Sequence, residues 1–426
     1  MKVNKKNSNK KMREREILDP SERERKVDEL LYRGVVDVIE KEHLRNRMLS
    51  GDVLRVKFGI DPTGPDIHIG RGSTIKKLKE FQDLGHQIVL IIGDATAQIG
   101  DASDKESTRK MLSHDEVESN ETRYLDQIGR IIDINKAEIH HNSEWTDKLT
   151  PKDWIQLASF FTLQQIVQRD NFAKRIEKDN PVGFHEALYC LLQGWDSVNI
   201  QADVEIGGTD QLFNLLAGRK IQENFGQKPQ DIMTLQLLAG TDGRKMSTSW
   251  GNVILVTEPP SEKYGKVMRI ADHLIPVYLE SATLVPMHRI HEIKKSLEDG
   301  KGNPMEFKKE LAYEIVKFYD GEESAQQAQK HFETVVQHQE TPEEVPAIAV
   351  ESNISVKELF DILKRTNLVK SKADAKRLMD QGAIKIDDKE LRESDLNSTI
   401  VIADQPDGSI VKVGKRRFVR LVGKQE

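Results

Sequence analysis

The sequence predicts an α/β fold: a domain built on a parallel sheet, then an α-helical domain and a small α+β module. Two local features and one boundary predict it. Val53–Ile60 is an apolar run that leads through a proline- and glycine-rich loop into a helical pattern, and a second apolar run, Gln87–Gly93 ("QIVLIIG"), follows at once. Strand–loop–helix–strand in this order is a βαβ unit with parallel strands. An unbroken apolar strand is the mark of a sheet covered on both faces. The boundary is "QETPEEVPAIAVES" (Gln339–Ser352), whose two prolines and clustered acids read as a linker.

The elements follow in order. Residues 1–20 are basic and expected to be a disordered tail; they lack an apolar centre and carry Glu14 and Glu16, unlike a secretory or transit segment. Pro20–Ser50 reads as helix, because Leu30, Leu31, Val35, Val36, Ile39 and Leu44 recur at near-helical spacing. After the strand at Val53–Ile60 comes a helix, Ser73–Leu84, stopped by Gly85. A short strand near Ala137–His141 precedes a helical insertion over about 142–200. Ala202–Ile206 is a strand, Thr209–Asn224 a helix, Asp231–Leu238 a strand, and Val253–Val256 a last strand. The sheet domain therefore spans 21–258 and the helical domain 259–338, with the linker at 339–352. The module, 353–426, has helices at Val356–Thr366 and Lys372–Gln381 and strand-like pieces at Ala383–Ile386, Ser398–Ala403 and Phe418–Leu421.

Composition narrows the class. Charged residues make up 31% of the 426 and hydrophobic ones 37%, and no apolar run approaches the ~18 residues of a membrane span. The single cysteine, Cys190, permits no intrachain disulfide and no Cys-rich zinc site, which fits a reducing cytoplasm. The net charge of −6 is uneven: Lys370–Glu426 has 13 basic and 10 acidic residues, so that end is +3 and the rest −9. A basic module on an acidic body fits an RNA site.

Three stretches carry chemistry. The first is the seam "GIDPTGPDIHIGRGSTIKKL" (Gly59–Leu78), where a strand end feeds a helix start. Free N–H groups and the helix dipole attract phosphate there, and glycine lets a ligand approach the backbone. The second is "GRKMSTSWGN" (Gly243–Asn252), a polar loop that presents one ammonium and several hydroxyls, suited to a polyphosphate. In the third, "EALYCLLQGWDSV", Tyr189, Gln193 and Asp196 stand at i, i+4 and i+7 on one helix face. A phenol, an amide and a carboxylate on one stripe suit a polar ligand better than a core.

"HIGR" and "KMSTS" resemble the HIGH and KMSKS signatures of class I aminoacyl-tRNA synthetases, in the family's order and each after a predicted strand. The helix stripe resembles the amino-acid pocket of the tyrosyl-tRNA synthetase family, and matching segments run from about Leu30 to the end. The resemblance implies a Rossmann-like catalytic domain, an anticodon-side helical domain and a C-terminal RNA-binding module. It implies that Tyr189 and Gln193 hold the tyrosine ammonium and that Asp196 accepts from the phenol. "LIIGDATAQIGD" brings Asp101 as another ammonium ligand with Thr96 beside it. "EIGGTDQ" brings Gly208 and Asp210 for the adenosine ribose and Gln211 near the substrate, and "FGIDPTG" brings Gly59, Asp61 and Thr63. His68, Thr63, Lys245 and Gly70 are the candidate catalytic residues; Arg71, Ser247 and Thr248 join the ATP site. The C-terminal segment resembles a small ribosomal RNA-binding module, with Lys372, Lys376, Arg377, Lys415, Arg416, Arg417 and Arg420 as phosphate contacts. Such a module is common on bacterial tyrosyl enzymes and absent from tryptophanyl ones.

The implied reaction joins tyrosine to ATP and then to tRNA(Tyr), with Mg²⁺ arriving on the ATP phosphates and no protein metal site. The nucleophile is an ionised carboxylate, so no general base is required, and positioning and charge carry the step. The family implies a homodimer, with Trp154–Val167 as the candidate interface. Three residues depart from the family pattern. Arg71 replaces the second histidine of the first signature, Thr248 replaces the second lysine of the other, and Lys57 stands where some relatives have a tyrosine that reaches the phenol. Arg71 or Arg244 is expected to compensate for the missing lysine. A tryptophanyl-type enzyme and a non-catalytic RNA-binding protein on the same scaffold are the alternatives.

Overall fold

The computed structural model describes residues 19–101, 114–334, 345–387, 389–396, 398–402, 408–414 and 417–423, with the backbone alone at Ser249. The described residues fall into two compact units. One runs to Pro259 and includes Lys266–Tyr319; the other comprises Pro260–Gly265 and the residues from Asp320 onward. The helical span 259–338 is thus shared between them.

In the first unit, the chain runs α1 (Pro20–Leu30), β1 (Val35–Ile39), α2 (Lys41–Ser50), β2 (Arg55–Ile60), α3 (Ile69–Asp83), β3 (Gln87–Ile92), α4 (Asp94–Ile99), α5 (His114–Ile128) and β4 (Glu138–His141). The insertion supplies α6 (Ser143–Thr146), α7 (Pro151–Ser159), α8 (Leu163–Val167), α9 (Asp170–Glu177) and the long α10 (Phe184–Asn199). Then come β5 (Val204–Gly208), a 3₁₀ turn at Thr209–Gln211, α11 (Leu212–Asn224) and β6 (Asp231–Leu235). Helix α12 (Pro260–Val267) lies mostly in the other unit, and α13 (Ile275–Ala282), α14 (Met287–Glu298) and α15 (Pro304–Asp320) follow in this one.

Among the described residues these strands form one sheet in the order β1-β6-β5-β2-β3-β4. All neighbours are parallel except β1, which runs antiparallel along β6. Ile88–Ile92 of β3 are fully buried, as the unbroken apolar run requires. The loops after β2, β3, β4 and β5 all leave the sheet at its carboxyl edge, where α/β sheets bind ligands.

Four expectations change. Val35–Ile39 is a strand within the predicted helix: Gly34 turns the chain at φ +66°, and the β-branched run pairs at the sheet edge. Here tertiary pairing overrides a helical spacing. Helix α3 begins at Ile69, four residues early, because His68 is its N-cap and accepts from the Arg71 N–H. Val253–Val256 joins no ladder; Leu255 makes only an isolated bridge to His68. Part of the predicted linker, Ala347–Val350, is a strand.

In the second unit, α16 (Glu322–Phe332) precedes β7 (Ala347–Val350), β8 (Asn353–Ser355), α17 (Val356–Arg365), α18 (Lys372–Asp380), β9 (Ile384–Ile386), β10 (Lys389–Glu390), β11 (Thr399–Val401), β12 (Ser409–Val413) and β13 (Arg417–Gly423). Its main sheet is β10-β9-β12-β13-β7, with β8 and β11 paired apart. Leu359, Leu363, Ala375, Val411, Val413 and Leu421 form its core. β8 and β10, with three and two residues, are too short for a two-residue period to register, whereas the five-residue β12 alternates buried and half-buried positions and was legible.

Candidate active site

The strand ends enclose a cleft of about 310 Å³. It is lined by Gly59, Asp61, Thr63, His68, Gly70 and Arg71 from the first seam, and by Thr96 and Asp101 from beyond β3. Tyr189, Gln193 and Asp196 line it from α10, Gly208, Asp210 and Gln211 from beyond β5, and Lys245, Ser247 and Thr248 from the second loop. Every residue predicted for ATP and tyrosine therefore faces one space.

The seam is shaped by packing. Helix α5 pins it: Asn120 donates to the Pro62 carbonyl at 3.0 Å, and Gln127 spans the Pro65 carbonyl and the Ile67 N–H at 3.1 and 2.7 Å. At Gly70 a Cβ would lie 3.0 Å from His68 Nδ1, so glycine keeps the imidazole where it stands. At Gly93 a Cβ would lie 2.0 Å from Asp61 Oδ1. That carboxylate accepts from Thr96 Oγ1 at 2.8 Å and from the Tyr189 hydroxyl at 3.0 Å. Burial pushes its pKa up to about 6 against those donors.

The part of the cleft beside α10 is carboxylate-rich. Gln211 Nε2 donates to Asp101 at 2.6 Å. Arg169, stacked between Phe172 and Phe213, comes within 4.0 Å of the same carboxylate. Asp196 is buried and accepts from Trp145 Nε1 at 2.8 Å and from the Asn142 amide. Burial is the main cause that raises its pKa to about 7, opposed first by Lys57. Gln193 gives its Nε2 to Glu205 at 3.1 Å, which leaves its amide oxygen as an acceptor.

At the opposite end Lys245 Nζ meets Asp210 at 2.7 Å. The second loop is tied by Asn252, which accepts from the Ser247 N–H at 2.8 Å and donates to Asp242 at 2.7 Å. The two arginines expected to compensate stand in different places. Arg71 lines the cleft and is held by the Tyr124 hydroxyl at 2.8 Å. Arg244 forks onto Asp242 at 2.8 and 2.6 Å and stacks over Trp250, and it is not part of the cleft lining.

In the second unit Lys372 pairs with Asp361 at 2.7 Å and Arg377 with Asp374 at 2.6 Å, both with more than half of the side chain exposed. Lys376 lies 4.0 Å from Glu393. The Arg417 guanidinium donates to the Leu368 carbonyl, and Arg420 pairs along β12. Lys415 and Arg416 lie outside the described residues.

Sequence reasoning missed Asn142 and Trp145, which brace Asp196, as well as Glu205 and Tyr124. Asn142 stands directly after a strand, in "HHNSEW", a position from which α/β sheets reach ligands. Nothing local marks Glu205, whose contacts come from across the sheet.

A parallel sheet with an open helix start at its carboxyl edge and a group of buried carboxylates opposite defines a nucleotide-binding class of α/β site. Residues 49–337 match the family model described as tRNA synthetases class I (W and Y). The chain is 46% identical over 396 residues to the tyrosine–tRNA ligase of Thermotoga maritima, which covers 92% of this chain and 96% of that protein. It is 44% identical over 402 residues to that of Carboxydothermus hydrogenoformans, covering 92% and 97%. In fold it resembles the tyrosyl-tRNA synthetase of Archaeoglobus fulgidus, with a TM-score of 0.57 at 20% identity over 73% of this chain and 100% of that one. The truncated mitochondrial enzyme of Coccidioides posadasii also gives 0.57, at 23% identity over 72% and 91%. The chain belongs to the class I tRNA synthetases and, within them, to the tyrosine–tRNA ligase family.

Proposed function

We propose that the cleft activates tyrosine and hands it to tRNA(Tyr), with the residues divided between its two ends. The observation that carries this reading is Asp196, a buried carboxylate on the wall that also presents Tyr189 and Gln193. The substrate phenol donates to Asp196, while Asp101, Gln193 and Tyr189 surround its ammonium and Gln211 braces Asp101. A buried acceptor left unpaired by phenylalanine penalises that substrate. Tryptophan carries an indole N–H donor in place of the phenol, so the exchange assay across amino acids, and not this acceptor alone, separates the two substrates.

The tyrosine carboxylate, already ionised, attacks the α-phosphorus of ATP, and the bond to pyrophosphate breaks. His68 and Thr63 from the seam and Lys245 from the second loop grip the phosphates as charge moves onto pyrophosphate. Gly70 keeps the helix start open to them, and Gly59 and Asp61 lie beside the nucleotide. Arg71 supplies the permanent cation that Thr248 does not, and Ser247 and Thr248 offer hydroxyls. Gly208 and Asp210 take the ribose, so Lys245 exchanges Asp210 for phosphate when ATP enters. Mg²⁺ comes with ATP as part of the substrate. The phosphate end offers cations and hydroxyls, and among the described residues no group of three His, Cys, Asp or Glu is placed to hold a metal. The terminal adenosine hydroxyl of tRNA then attacks the tyrosyl carbonyl, releasing AMP.

The domain assignment is part of this proposal: catalysis in 21–258, the anticodon side in 259–338 and RNA phosphates on 353–426. Lys372, Lys376, Arg377, Arg417 and Arg420 supply its charge. A homodimer through α7 and α8 is supported by Ile155 and Leu163, 70% and 67% exposed. A cytoplasmic location fits a single, buried cysteine. Among the described residues no helix is long and apolar enough to cross a membrane. Pyrophosphate exchange run across amino acids tests the reading. Tyrosine is expected to support exchange; exchange with tryptophan alone, or with neither, refutes it.

A further inference from the structure

Behind Asp196 lies a second set of buried charges. Lys57 and Glu205 are register partners on the adjacent strands β2 and β5, with side chains 0% and 1% exposed. Lys57 Nζ reaches Glu205 Oε1 at 2.9 Å, Ser197 Oγ at 2.8 Å and the Gln193 carbonyl at 2.6 Å. These three acceptors match the three protons of an ammonium. Glu205 in turn receives Gln193 Nε2 at 3.1 Å, Ser197 Oγ at 3.3 Å and Gln230 Nε2. Burying such a pair is expensive, and apolar residues of similar volume would hold the sheet as well or better. Stability therefore does not account for it. Its contacts on α10, Gln193 and Ser197, bracket Asp196 on the substrate wall.

We propose that Lys57 is a positioning residue that sets specificity: locked to Glu205, it fixes the Gln193 amide and supplies the positive charge that keeps Asp196 an acceptor for the substrate phenol. Two physical consequences support this. Glu205 holds the Gln193 N–H₂, so the amide oxygen is presented to the substrate ammonium. The groups that face Asp196 are Lys57 from β2, Glu205 from β5, Tyr189 from its own helix, and the donors Trp145 and Asn142 from beyond β4. Burial is the largest influence on the Asp196 carboxyl and raises its pKa; Lys57 is the largest influence lowering it, ahead of the Trp145 donor, while Glu205 pushes upward less strongly. Removing both members of the pair therefore leaves Asp196 easier to protonate.

The inference rests on Asp196 as the phenol acceptor, so the test separates the two. Lys57→Met alone would strand Glu205, and the neutral pair Lys57→Met/Glu205→Gln avoids this; if the pair does not fold, Lys57→Gln takes its place. Each full-length variant, with folding checked by circular dichroism, is assayed for tyrosine- and phenylalanine-dependent pyrophosphate exchange from pH 6 to 9. The expected result is a tyrosine-over-phenylalanine ratio of kcat/KM lower by about tenfold, as for one weakened charge-assisted hydrogen bond. The loss falls on the tyrosine KM, and the acid limb of the tyrosine profile moves to higher pH. A folded variant with the wild-type ratio and the wild-type limb overturns the proposal. Asp196→Asn is run beside it. If this change alone collapses the ratio, the pocket reading stands and the role of Lys57 falls. If it leaves the ratio intact, both fall.

Discussion

The Tyr189 hydroxyl donates to Asp61 Oδ2 across 3.0 Å and so joins α10 to the seam after β2. The same carboxylate takes Thr96 Oγ1 on its other oxygen. One hydrogen bond thus links the two walls to which tyrosine and ATP are proposed to bind.

Tyr189→Phe removes that coupling without opening a cavity. We expect a cost of about 1–2 kcal/mol in kcat/KM, seen for both tyrosine and ATP rather than for tyrosine alone. Steady-state pyrophosphate exchange with each substrate varied in turn measures it. An effect confined to tyrosine would mean that Asp61 does not transmit it.

Arg71 lines the cleft with its guanidinium on the Tyr124 hydroxyl, and it is the residue proposed to compensate for the missing signature lysine. Arg71→Ala is expected to lower kcat for exchange by about 2–4 kcal/mol in barrier terms. Arg71→Ala combined with Thr248→Lys should recover part of that loss, whereas Arg244→Ala should do far less damage than Arg71→Ala. Single-turnover formation of tyrosyl-adenylate reads all three variants.

The raised carboxyls give a pH signature. Asp61 and Asp196 have folded pKa values of about 6 and 7 against an ordinary 3.8. The folded state therefore binds more protons than the unfolded one between pH 4 and pH 7, as these values require. Unliganded stability falls as pH rises through that window. Asp196→Asn is expected to raise the melting temperature of the unliganded protein at pH 8 and to have little effect at pH 4, below both pKa values. Scanning calorimetry at the two pH values checks the sign. The carboxylate that weakens the empty protein is the one proposed to select the phenol.

Gly93→Ala places a methyl against Asp61 and Thr96, since the added Cβ would lie 2.0 and 2.4 Å from their oxygens. Asp61 must swing away, so the variant is expected to lose most exchange activity, at about 10²-fold for a displacement of this size. A variant with wild-type kinetics would show that the seam yields without cost.

Much of this arrangement was legible locally. The β3 strand follows from an unbroken apolar run, the seam from its prolines and glycines between strand and helix, and the stripe at 189, 193 and 196 from a helical period. The helical period identified the three residues on the α10 face, whereas Asp101, Thr96, Gly208, Asp210 and Gln211 were named by the resemblance of their segments to the synthetase family. Other features had no local signal. Val35–Ile39 carries a helical spacing, yet it becomes a strand because β6 offers it an edge. Ala347–Val350 lies in a proline-rich, acidic stretch, yet it pairs in parallel with β13.

The sequence by itself determined the parallel-sheet class, the two phosphate loops and the chemical character of the α10 face, because each is written in consecutive residues. Only the tertiary structure decided which partner each charge has. Lys57 meets Glu205 because β2 and β5 are neighbours in a particular register, and Arg71 rather than Arg244 enters the cleft because Tyr124 holds one and Asp242 the other. Strand order and register arise from packing across the whole sheet, so residues more than a hundred positions apart acquire their roles only when it closes.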